Sequence, residues 1–152
     1  MITAITIGIV VGMLQECLVF SLAYMLLRRY TGGYHAKTSI RCYFLSILMV
    51  VVVLFSIKAA ILYEWNDFCI IATMFSGVVI YLKAPIESEN KPLDDAEYRK
   101  YRKCSLIIMI IEEVIVLTLF FFSNSVSVCI AFAVIAAATM LLISTLLSYM
   151  QR

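Results

Sequence analysis

An all-α, polytopic membrane bundle of about five transmembrane helices is predicted by three features of the sequence. Hydrophobic residues make up 64% of the chain and charged residues 14%, with a mean hydropathy of +1.02; such a chain needs lipid as its solvent. The apolar residues fall in runs that approach or exceed the ~20 residues needed to cross about 30 Å of hydrocarbon. Lys and Arg gather between these runs rather than along one face. Placed in that way, a net charge of +2 points to the bilayer as the partner and to no nucleic acid.

Residues 1–152 read as a single transmembrane domain. The first expected span covers 2–27, with Gln15 and Glu16 as a polar break near its middle. Its Gly8 and Gly12 form a GxxxG, a weak pattern for close backbone approach that suggests a homodimer face. The second span, 43–62, includes Lys58, which can snorkel toward the headgroups. The third, 68–82, is short and takes Tyr63 and Trp65 as interfacial anchors. The fourth, 104–122, carries Glu112 and Glu113. The fifth, 126–150, follows the polar turn Ser123, Asn124, Ser125, which is short enough to make an antiparallel hairpin. Two hydrophilic loops remain, 28–42 and 83–103. Within the second, residues 94–103 have the pattern of an interfacial amphipathic helix with Tyr98 and Tyr101 at the headgroups. That loop reads either as a solvated connector or as a docking surface for a peptide. Met1 opens into apolar sequence without a basic start or a cleavage site, so the first segment is expected to stay in the mature protein.

Basic residues set the expected orientation, because short cytoplasmic loops collect them. With the amino terminus outside and the carboxyl terminus in the cytoplasm, eleven of the twelve Lys and Arg residues lie inside and only Lys58 lies outside. This topology of a multi-pass cell-membrane protein puts loop 28–42 at the cytoplasmic face, where thiols stay reduced.

Loop 28–42 reads RRYTGGYHAKTSIRC and holds the single histidine of the chain, His35, with Cys42 seven positions later. A thiol near pKa 8.5 needs a base or positive surroundings to act as a nucleophile. His35 is the candidate base, and Lys37 and Arg41 supply positive potential. On an unbroken helix, residues seven apart are separated by roughly 10 Å, too far for proton transfer. Gly32 and Gly33 can break the helix and fold the segment back toward Cys42. The other cysteines, Cys17, Cys69, Cys104 and Cys129, are scattered one per segment with no CxxC and no second histidine, so no metal site, cofactor or disulfide framework is indicated. They read as small apolar packing residues.

Arg28, Gly32, Gly33, Tyr34, His35 and Cys42 together resemble the signature of the accessory gene regulator B (AgrB) family. These are membrane cysteine endopeptidases of peptide quorum sensing in Gram-positive bacteria. Arg28 lies seven before His35, Gly33 two before and Cys42 seven after, and the later run APIESENKPL is similar to a loop of that family. The resemblance follows the segment order of the whole chain, although family members generally carry an additional amino-terminal stretch that is missing or shortened here. It implies cleavage of an AgrD-like propeptide on the carboxyl side of its signal region. Cys42 would be the nucleophile, His35 the proton carrier and a thioester the acyl-enzyme, before closure to a thiolactone or lactone ring.

Arg28 and Arg41, with Gly32 and Gly33, would orient the loop or bind substrate; the planar fork of Arg28 suits a carboxylate. Gln15, Glu16, Glu112 and Glu113 are costly inside a membrane and read as supporting polar residues or as members of a buried polar path. A competing reading is a non-catalytic peptide exporter or scaffold, in which the glutamates line the path and His35 and Cys42 are bystanders.

Overall fold

Residues 50–54, VVVVL, would favour a strand in water, yet they lie inside a helix, as hydrocarbon requires because it leaves no partner for an open backbone group. The computed structural model describes residues 2–32, 39–86, 94–122 and 124–150. Among them are six helices and no strand: α1 (Ile2–Val11), α2 (Leu14–Thr31), α3 (Ser39–Leu62), α4 (Asn66–Lys83), α5 (Asp95–Leu119) and α6 (Asn124–Met150). Three stretches, Tyr43–Leu62 of α3, Asn66–Lys83 of α4 and Ser125–Leu147 of α6, are long and apolar enough to cross a membrane.

The expected single span over 2–27 is two helices. Gly12 takes φ +71, the Met13 N–H donates to the Gly8 carbonyl at 2.8 Å, and the Gly12 N–H donates to that of Ile9 at 3.1 Å. These are the paired bonds of a Schellman C-cap, whose left-handed position favours glycine. The chain then folds back on itself. The Cys17 thiol donates to the Ala4 carbonyl at 3.1 Å, a pair that a straight helix would hold about 20 Å apart. A Cβ on Gly8 would stand 2.9 Å from that of Cys17, so the bare Gly8 backbone admits α2. Both glycines of the GxxxG are thus used within the chain. Gln15 and Glu16 consequently leave mid-helix for the first turn of α2, with Gln15 exposed and Glu16 half-buried.

α6 is the central helix. Of its apolar window 61% is buried, against 22% for α3 and 28% for α4. Its buried face carries Ala131, Ala133, Ala136, Ala137 and Ala138, and small side chains let α2, α4 and α5 pack closely around it. The α5–α6 hairpin is tied by the Ser127 hydroxyl, which donates to the Val116 carbonyl at 2.9 Å. At the α3–α4 turn the exposed Tyr63 and Trp65 rings stack with centroids 5.6 Å apart.

Residues 94–103 do not form a separate interfacial helix. They are continuous with the fourth expected span as the 25-residue α5. At about 37 Å, α5 exceeds the hydrocarbon thickness, which lets its charged first turns stand beyond the apolar layer.

Candidate active site

α2 ends at Thr31, and Gly32 takes φ +69 with ψ −151, a region of backbone space open essentially to glycine alone. The break has a fixed seat. Gly32 forms an isolated parallel bridge to Ile86, and the Ile86 N–H donates to the Thr31 carbonyl at 3.0 Å. A Cβ on Gly32 would overlap the Ile86 carbonyl oxygen. The Arg28 guanidinium donates to the Gly32 carbonyl from one turn back, so that end of the loop is held from both sides.

The strand-like segment after α4 is clasped in turn by α5. Arg102 donates to the Ala84 carbonyl at 2.8 Å and to the Tyr81 carbonyl at 3.3 Å, and its guanidinium lies 5.9 Å from the Tyr81 ring centroid. Ala84 and Pro85 are buried. Tyr30 and Tyr101 close the same end of the bundle, with ring centroids 5.7 Å apart. Nothing in the sequence separates Arg102 from Arg99, Lys100 and Lys103, so this clasp was legible only in three dimensions. Arg102→Ala removes two charge-assisted hydrogen bonds, each worth about 1.5–3 kcal/mol. Amide exchange at Ile86 is expected to accelerate by tenfold or more, which site-resolved hydrogen exchange would detect.

Cys42 lies in the first turn of α3. Its backbone is described, whereas its side chain, that of Arg41, and all of Gly33 and His35 lie outside the described residues. Gln15, thirteen positions before Arg28 on α2, stands about 20 Å along the helix from the loop and does not join it.

Glu112 and Glu113 are also remote from the loop, being ten and eleven residues beyond Arg102 on α5, about 15 Å deeper. Glu112 lies on the buried face of α5 with Ser105, Met109 and Val116, and neither of its carboxyl oxygens has a hydrogen-bond partner among the described residues. Glu113 fits against α4 because Gly77 leaves the space: a Cβ there would overlap the carboxyl group. Glu112→Leu is expected to stabilise the fold by about 1–3 kcal/mol, since it removes an unsatisfied buried polar group. Thermal unfolding in detergent measures this, and a loss of activity in the stabilised variant would assign Glu112 to a polar path instead.

Of the other cysteines, Cys17, Cys69 and Cys129 are buried and Cys104 is half-buried, all as free thiols.

The family model for accessory gene regulator B matches residues 1–146. The chain belongs to the AgrB family. Among curated relatives, "Putative AgrB-like protein 2" of Clostridium perfringens (strain 13 / Type A) is 29% identical over 131 residues, covering 82% of this chain and 61% of the relative. "Putative AgrB-like protein" of Listeria monocytogenes serovar 1/2a is 33% identical over 98 residues, 64% of this chain and 47% of the relative. The chain thus spans about half to three-fifths of the length of these relatives. No solved structure matches it. Family membership and the three apolar helices mark it as a membrane protein.

Proposed function

We propose that this AgrB-family chain is a membrane cysteine endopeptidase that matures an AgrD-like propeptide, with Cys42 and His35 as its catalytic pair. The observation that carries the reading is the position of Cys42 in the first turn of α3, directly after a loop whose other end is locked at Gly32. The free N–H groups of a helix N-terminus favour a thiolate, and His35 precedes Cys42 by only seven residues.

The Cys42 sulfur attacks the scissile carbonyl while His35 takes the thiol proton. The C–N bond breaks, His35 returns the proton to the leaving amine, and the acyl group stays on Cys42 as a thioester. A cysteine thiol within the substrate then attacks that thioester, closing a thiolactone and releasing Cys42; a serine hydroxyl would close a lactone. Thioester exchange is nearly energy-neutral, so ring closure has to outrun only hydrolysis. An intramolecular thiol at high effective concentration and a site poor in water both favour it. Arg28 holds the loop through its bond to the Gly32 carbonyl, and Gly33 and Arg41 complete the site. With the basic residues inside, the carboxyl terminus is cytoplasmic and the loop lies at the inner leaflet, whereas the fold-back at Gly12 removes the straight first span on which an outside amino terminus rested.

Co-expression with a candidate AgrD-like propeptide, a short amphipathic peptide with an internal Cys or Ser followed by an acidic tail, tests the proposal. The expected product, read by mass spectrometry, is a truncated peptide lighter by one water than its linear form. Export of the peptide at full length would instead favour a transporter.

A further inference from the structure

A cavity of about 310 Å³ opens between α1, α2 and α3, and neither the loop nor the clasp accounts for it. Its α3 wall starts at Tyr43, the residue after Cys42, and continues through Ser46, Ile47, Met49 and Val50. Position 42 precedes Ser46 by four residues and Met49 by seven, so it continues the row of positions along which that wall is built. Because α3 runs back along α2, the cavity extends from the level of Tyr43 with Tyr24 and Met25 toward Val50 with Cys17, about 10 Å. The fold-back of α1 at Gly12 closes it on the third side with Ala4 and Ile7.

Size and chemistry define what fits. The volume is at the low end for ligand pockets, which run from about 300 to 1,000 Å³, so it suits one or two large side chains rather than a folded peptide. Its lining is chiefly aliphatic and aromatic, with scattered hydroxyls and no charged residue.

We infer that this cavity is a specificity pocket, receiving the bulky apolar side chain of the substrate residue that supplies the scissile carbonyl; the assignment rests on the peptidase reading. A peptide acylating Cys42 would carry that side chain next to position 42. An apolar side chain would gain by entering the cavity, and a charged one would be left without a partner there.

The test uses the full chain in membranes and reads alkylation of Cys42 by site-resolved mass spectrometry. The probes are acetyl-phenylalanyl and acetyl-glycyl chloromethyl ketones, each normalised to iodoacetamide on the same sample to correct for thiol access. The phenylalanyl reagent is expected to label Cys42 at least about tenfold faster, in the range set by small apolar differences in a binding pocket. Ile47→Trp, which fills the cavity, should bring the ratio near one. Ile47→Ala, which enlarges it, should shift the preference toward a tryptophanyl reagent and serves if the larger residue prevents folding. A ratio near one in the native chain, or a ratio unchanged in both variants, overturns the pocket. If cleavage of the propeptide is intact in that case, only the pocket is lost; cleavage that survives Cys42→Ala removes the peptidase reading whatever the ratio.

Discussion

Cys42→Ala is expected to reduce propeptide cleavage to the level of membranes lacking the protein, because the other cysteines sit within the helices of the bundle: Cys17, Cys69 and Cys129 are buried and Cys104 is half-buried within α5. His35→Ala should lower cleavage by roughly 10²–10⁴-fold, the usual worth of a positioned general base. Both variants should insert normally and reach the native protein level, since neither substitution alters the apolar runs that carry the chain into the membrane. Immunoblots of membranes for propeptide and product, alongside the protein itself, measure all three quantities. Cleavage that persists in both variants would leave the exporter as the better account.

Gly32→Ala carries the largest expected effect of any change outside the catalytic pair. The backbone at Gly32 lies in a glycine-only region, and a Cβ would also collide with the Ile86 carbonyl, a rigid backbone group rather than a flexible side chain. Strain of about 1–3 kcal/mol adds to loss of the bridge that seats the loop. Cleavage should fall by at least about tenfold, following the loss of productive loop geometry. Gly12→Ala is the control. Its φ of +71 is just as positive, but nothing lies within 4 Å of the added Cβ, so it should cost only the backbone strain and leave the loop seated. Paired thermal unfolding and cleavage assays on the two variants separate strain from collision.

The sequence made the helical class legible because the requirement for internally satisfied backbone leaves a hydrocarbon-soluble chain few alternatives. It also made the motif in loop 28–42 legible, since one histidine and one cysteine at a fixed spacing stand out against apolar surroundings. It did not reveal the corner at Gly12. A GxxxG read along one line looks like a flat face for a partner helix, whereas Gly12 is the left-handed cap that turns α1 back onto α2. The division between loop and span at residue 104 failed for a related reason: a helix has no cause to stop at the headgroups when its polar first turns can continue in water. The seat of the loop was hidden because it depends on backbone groups. Ile86 and Ala84 contribute carbonyls and an N–H that any residue would offer, and only the approach of α4 and α5 makes Arg102 different from its neighbours. Glu112 and Glu113 were visible as expensive charges, but their separation, one buried in the core and one lodged at Gly77, follows from the face each presents on α5.

The central claim is that the acyl group passes through the sulfur of Cys42, and direct mass measurement of the chain trapped with its propeptide tests it most closely. The account predicts a hydroxylamine-sensitive adduct with the mass of the amino-terminal cleavage fragment, mapped to Cys42 and missing from Cys42→Ala. Cleaved product that accumulates with no such adduct, or an adduct mapped to another residue, would contradict it.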